Sequence, residues 1–104
     1  MLSSALNVYG FRAVGLPGDS FGNPPDSYVK AKCGQSRYYN TEVVQGTHNP
    51  TWETAVLFFC NVGDSLIVEV MSKGFKNDES LGFCIHKVSA SGNDGERGEK
   101  GECL

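Results

Sequence analysis

Apolar positions along the chain recur with a period of two rather than 3.6, in short bursts broken by turn residues. Leu6, Val8, Tyr9, Phe11 and Val14, with small residues between them, predict a first strand that closes at the turn signal Leu16-Pro17-Gly18-Asp19. Residues 20–26 contain Gly22 and Pro24-Pro25, which neither a helix nor a central strand accepts, so a long irregular connection follows. Tyr28, Val29, Ala31 and Cys33 predict a second strand. Gly34-Gln35 predicts a tight turn into a third over residues 38–44, where aromatic and β-branched side chains suit a pleated surface. After a loop at 45–50, residues 51–60 predict a fourth strand with Trp52 near its entry. A turn at 61–64 leads to Leu66, Val68 and Val70, which alternate with Ile67 and Glu69 and therefore share one face. A polar loop over 72–80, a further strand over 81–88 and a Gly-rich charged tail over 89–104 complete the pattern.

Six short strands at spacings near ten residues predict an all-β fold, an antiparallel β-sandwich or barrel, with residues 1–88 as its core and the tail belonging to the same domain. No window sustains a helical period. In a sandwich, alternate connections lie at the same end. The loops at 18–26, 45–50 and 72–80 are expected at one end, and the turns at 34–35 and 61–64 at the other with the tail. Long loops gathered on a rigid scaffold are where function is usually carried.

Composition narrows the picture. At 104 residues there is room for one core, and 39% apolar against 20% charged residues suffices to build it, while 13 glycines and 4 prolines account for the many turns. A formal net charge of −3 with no Lys/Arg cluster excludes nucleic acid as a natural partner. The longest apolar run, residues 55–60, is far short of a bilayer span, so any membrane contact is peripheral. Cys33, Cys60, Cys84 and Cys103 are too widely spaced for a zinc or redox motif. Their even number suits two disulfides in an oxidising compartment. Of three possible pairings Cys33–Cys60 with Cys84–Cys103 is expected, with four buried thiols in a cytosolic protein as the alternative. The expected location is extracellular, as a secreted protein, although residues 1–4 are no signal peptide. His48 and His86 stand apart from any serine–acid pattern, so catalysis has no support.

Candidate chemistry lies in the loops. The first brings Asp19 and Asp26 and the third Asp78 and Glu79, four carboxylates expected at one end of the sandwich. Hard oxygen ligands of this kind suit Ca2+, which takes six to eight oxygens in flexible geometry. The alternative is that they are solvated turn residues.

The segments Leu6-Asn7-Val8-Tyr9-Gly10-Phe11-Arg12-Ala13, Gly18-Asp19, Asp26-Ser27-Tyr28-Val29-Lys30, Asn49-Pro50-Thr51-Trp52 and Leu81-Gly82 resemble, in order and spacing, a C2 domain over about residues 6–88. The opening Phe11-Arg12-Ala13 with Leu16 and Gly18-Asp19, and the segment Leu81-Gly82-Phe83-Cys84, are most similar to the C2 domain of perforin and perforin-like proteins. The resemblance implies an eight-stranded sandwich that binds calcium in three loops and docks on phospholipid, and seven to eight strands are expected in this chain. In perforin such a domain anchors a pore-forming protein on its target membrane.

Carried over residue by residue, the resemblance makes Asp19 the first-loop ligand, Asp26 the second, and Asp78 and Glu79 the last acidic ligands before Leu81-Gly82. The Asp-x-Asp expected after the fifth strand is missing. Register set by the alternation places it at Ser72 and Gly74, and counting back from Gly82 places it at Met71 and Lys73. Lys73 opposes a cation directly, so weak single-ion binding or none is expected. Phe21 and Phe75 are candidate membrane-inserting tips, with Lys73 and Lys76 facing headgroup phosphates at ~1 kcal/mol each. The alternative is that both rings fold back over the loops. Trp52 is expected in the core and His48 as a solvated turn residue.

In the tail Gly92, Gly95, Gly98 and Gly101 recur every third residue, a collagen-like period too short for a triple helix. A flexible loop ending in a short strand around Cys103 is expected instead. The resemblance implies one more strand beyond that cysteine: either the sheet has seven strands, or a partner or second copy completes its exposed edge, or the sequence is a piece of a longer chain. Partners are thus an anionic or zwitterionic phospholipid surface, or a protein if the module acts in calcium-independent recognition.

Overall fold

The computed structural model describes residues 4–89 and 96–100, with Ser4 and the last five as backbone. Seven strands among them form two sheets. In one, β1 (Ser4–Tyr9) lies between β4 (Val56–Cys60), antiparallel, and β7 (Glu96–Lys100), parallel. The other runs in the order β3 (Tyr39–Asn40), β2 (Ser27–Cys33), β5 (Ser65–Ser72) and β6 (Glu79–Lys87), antiparallel throughout. The described residues contain no helix. The all-β sandwich read from the alternating pattern is the observed architecture.

Period-two patterning places the core. Leu6 and Val8 of β1, with Val56 and Phe58 of β4, pack across the sandwich against Val29 and Ala31 of β2 and Leu66 and Val68 of β5, all nearly inaccessible. Val70 packs at the margin of the same cluster, so the predicted Leu66/Val68/Val70 face holds. Phe11 and Trp52 close the core beneath the long loops. Trp52 is a core residue as expected, and its Nε1 donates to the Ser27 carbonyl at 3.1 Å. Cys33 of one sheet and Cys60 of the other form a disulfide, with Cα atoms 6.2 Å apart. The reduced-thiol alternative therefore does not hold for this pair. Cys84 is also in disulfide form, while its expected partner Cys103 lies outside the described residues.

Several strand limits differ from those predicted, each for a local reason. The first strand stops at Tyr9 because Gly10 turns the backbone to φ 72. Phe11 is then directed into the core, Arg12 sits in an isolated bridge to Thr51, and Val14 is exposed. The third strand shrinks to two residues because the Val29 N–H donates to the Thr41 hydroxyl (2.9 Å) instead of to a strand carbonyl, which interrupts the ladder. The fourth starts at Val56 rather than residue 51. The Glu42 carboxylate takes the Glu53 N–H (2.8 Å) and the Thr54 hydroxyl, holding that stretch as a loop. β6 begins two residues early, at Glu79, and carries a bulge: Val70 pairs with Gly82 but Met71 with Ser80, leaving Leu81 unpaired. In the tail a strand runs over Glu96–Lys100, with Gly98 opposite Asn7; the strand expected around Cys103 lies outside the described residues. Gly92, Gly95 and Gly101 lie outside the described residues.

Candidate ion and membrane-docking site

The topology brings the three long connections to one end, as the strand count predicts, and backbone bonds stitch them together. Leu16 N–H donates to the His48 carbonyl (2.9 Å), Gly15 N–H to Asn49 Oδ1 (2.8 Å), and Lys73 N–H to the Asp26 carbonyl (2.7 Å). His48 is not a solvated turn residue. It is half-buried, with Nδ1 2.7 Å from the Leu16 carbonyl, and so ties the second loop to the first. At the other end Gly34 N–H donates to Ser65 O and Val88 N–H to Asp64 O, closing the short turns.

The first loop is built around Asp19. Its Oδ1 accepts from Phe21 N–H and Asn23 N–H, both at 2.9 Å, and Oδ2 accepts from Asn23 Nδ2 at 3.1 Å. The Asn23 N–H foremost, then that of Phe21, holds the Asp19 carboxyl below the usual carboxylate range. This closed 19–23 turn directs Phe21 outward, 87% exposed. Gly18 permits it, because a Cβ there would lie 2.7 Å from the Asn23 carbonyl oxygen. Asp26 uses Oδ1 to accept from Gly46 N–H at 2.8 Å, binding the first loop to the second.

The third loop is built around Asp78. Tyr28 OH donates to Asp78 Oδ2 at 2.5 Å and Gly74 N–H to Oδ1 at 3.0 Å, while Lys73 Nζ lies 3.7 Å away. These partners, the tyrosine first, keep the Asp78 carboxyl low, and the same bond pushes the Tyr28 phenol up to about 12. Gly74 is required for closure, since a Cβ there would overlap the Asn77 carbonyl. The loop projects Phe75 fully into solvent, so neither ring folds back. Lys76 beside it is also exposed.

A cleft of about 280 Å³ opens between the two loops, lined by Asp19, Asn23, Asp26, Ser72, Lys73 and Glu79 among others. Three of the four expected carboxylates therefore share one concavity, and Asp78 is drawn to Tyr28 outside it. A neighbouring crevice of about 300 Å³ reaches in toward Trp52 and contains no carboxylate, so the smaller cleft is the one with ion chemistry. Both counts for the missing Asp-x-Asp have a structural meaning. The bulge at Leu81 supplies their one-residue offset, and Ser72 from one and Lys73 from the other both line the cleft. Among the described residues no three Asp, Glu, His or Cys side chains come close enough to hold a metal ion together. Both Asp19 oxygens are engaged by its own turn, and Lys73 lines the cleft with its ammonium 3.7 Å from Asp78 Oδ2. This donor set does not fit the six to eight oxygens of a caged calcium ion. The residues that organise the loops but escape sequence reasoning, Tyr28, Glu42 and His48, act through partners too distant in the chain to leave a local signal.

The sequence matches the C2 domain family over residues 4–103. Comparison with curated proteins finds no match. Among solved structures the chain is similar to human GIVD cytosolic phospholipase A2 in complex with methyl γ-linolenyl fluorophosphonate and terbium chloride. The TM-score is 0.76 at 18% identity over 83% of this chain, which spans only 13% of that protein's length. It is also similar to a solved C2 domain (TM-score 0.75, 29% identity, 86% of this chain and 78% of that one). The calcium-bound pair of C2 domains from extended synaptotagmin 2 gives 0.73 at 18% identity, covering 84% of this chain and 35% of that one.

Proposed function

Because the chain belongs to the C2 domain family, we propose that it is a non-catalytic, perforin-like module that docks peripherally on phospholipid membranes by the loop end of its sandwich, with a weakened calcium site. One observation carries this reading: Phe21 and Phe75 stand in solvent at the tips of the two loops that flank the carboxylate cleft. Large aromatic side chains held out on built turns have apolar area to bury in an interface and nothing within the domain to bury it against. Lys73 and Lys76 flank Phe75 where headgroup phosphates would lie. Calcium influence is weak because neither count places a carboxylate at the start of the third loop and Lys73 lines the cleft. The perforin likeness rests on Phe11-Arg12-Ala13, Gly18-Asp19 and Leu81-Gly82-Phe83-Cys84, and it implies a role in anchoring a larger defence protein. The Cys33–Cys60 bond supports an extracellular, secreted setting. Co-sedimentation with phosphatidylcholine and phosphatidylserine vesicles tests the reading. A folded protein that stays in the supernatant with every vesicle, even at millimolar calcium, refutes it.

A second reading, calcium-independent protein recognition, is favoured by Phe83 and Ile85, which are exposed on β6 at the margin of its sheet. Concentration-dependent self-association that a charged substitution at Ile85 abolishes would support it.

A further inference from the structure

We propose that the Tyr28–Asp78 hydrogen bond sets the third loop in its docking shape in place of a bound cation, and that the mouth, left net negative, selects zwitterionic over anionic phospholipid surfaces. This rests on the membrane-docking reading and adds to it both a mechanism and a lipid class.

A divalent ion at such a mouth would perform two tasks, linking the loops and cancelling their charge. Here the first is done by the protein's own donors. Lys73 N–H bonds the Asp26 carbonyl at 2.7 Å and so joins the third loop to the end of the first. Tyr28 OH and Gly74 N–H take both oxygens of Asp78, closing the turn that presents Phe75. Asp19 closes the turn that presents Phe21 in the same way. Tyr28 belongs to a central strand and is nearly inaccessible, so the donor that fixes the loop is itself anchored in the sheet. It is a positioning residue for the docking surface.

The second task is left undone. Asp19, Asp26, Asp78 and Glu79 supply four negative charges against the two positive ones of Lys73 and Lys76, a net charge of −2 at the mouth. Arg12 lines the neighbouring crevice rather than this cleft. Hydrogen-bond donors hold Asp19 and Asp78 ionised, so the deficit persists through the neutral range. An anionic leaflet attracts one lysine roughly fivefold and repels an uncompensated carboxylate by a similar factor. The attraction that remains is apolar insertion of Phe21 and Phe75, which is indifferent to headgroup charge. A phosphatidylcholine surface meets that condition.

The test is co-sedimentation of the whole chain with vesicles of phosphatidylcholine alone and of phosphatidylcholine with one-fifth phosphatidylserine, each in chelator and in millimolar calcium. Binding to phosphatidylcholine is expected to be the same in chelator and calcium. Phosphatidylserine is expected to lower it roughly ten- to thirtyfold, and added salt to restore it as the repulsion is screened. Tyr28→Phe, with its melting temperature checked, is expected to lose roughly fivefold in chelator and to recover in calcium, because the released Asp78 carboxylate becomes a ligand. The inference is overturned if phosphatidylserine or calcium raises wild-type binding more than threefold. It is equally overturned if Tyr28→Phe binds as the wild type does, or loses affinity without regaining it in calcium. Absence of binding to every vesicle overturns the docking reading along with it.

Discussion

Replacing Phe75 by serine separates docking from folding more cleanly than any other single change. The ring is fully exposed and no contact in the domain depends on it. Burying a phenylalanine completely is worth about 1.5–3 kcal/mol, so insertion to half that extent gives about 0.8–1.5 kcal/mol. At 1.4 kcal/mol per decade, Phe75→Ser should lower the vesicle partition coefficient roughly three- to twelvefold. Phe21 is 87% exposed on the other loop and should give the same loss. The double substitution should then lose roughly twelve- to a hundred-and-fortyfold if the two tips act independently. Sucrose-loaded vesicle sedimentation measures this, and a thermal melt on the same sample supplies the control. Exposed substitutions stay within about 0.5 kcal/mol of the parent stability, so the melting temperature should hold while partition falls. Phe58→Ala is the contrasting case. That ring is buried between the sheets, and its loss should cost about 3–5 kcal/mol of stability without any selective effect on lipid. Two results would refute the reasoning: unchanged partition for Phe75→Ser, or a loss of partition that tracks an equal loss of stability.

The disulfide and two buried polar groups give further expectations. Cys33–Cys60 closes a loop with sequence separation 27, and cross-link entropy over that length is about 3.5 kcal/mol. The Cys33→Ala/Cys60→Ala protein should unfold at a clearly lower urea concentration, which denaturation curves with unchanged slope would establish. For the Tyr28–Asp78 bond, the lowered carboxyl contributes stability above its ordinary value of 3.8, lost as acid protonates it. The raised phenol contributes below its ordinary value of 10.0, lost as pH climbs through about 12. The melting-temperature gap between wild type and Tyr28→Phe should therefore be level between those limits and shrink outside them. A gap independent of pH would assign the effect to packing alone. Ser27 Oγ is buried without a hydrogen-bond partner, so Ser27→Ala should raise stability by about 1 kcal/mol. A lower urea midpoint for that variant would reveal a partner for the hydroxyl.

Local chemistry alone determined the fold class, the loop-bearing end and the identity of most core residues. Side chains of a half-buried strand must alternate, so Leu66, Val68 and Val70 disclose a face without any knowledge of what covers it. Gly and Pro clusters likewise mark where the chain must turn. The Phe21 and Phe75 tips were legible for the same reason, as apolar residues inside polar turn segments. Tertiary structure decided where the strands end and what the loop carboxylates do. The third and fourth strands are cut short by Thr41 and Glu42, whose side chains take N–H and hydroxyl donors lying 11 to 12 residues away in sequence. The carboxylates were visible as a set, but Asp78 is claimed by Tyr28 from 50 residues away. Asp19 closes on its own turn, and Lys73 is held at the cleft by its N–H bond to the Asp26 carbonyl on the neighbouring strand's approach. A carboxylate's role depends on which donor reaches it first in space. Patterning along a chain encodes burial, whereas competition among distant donors for the same oxygen exists only after the sheets have packed.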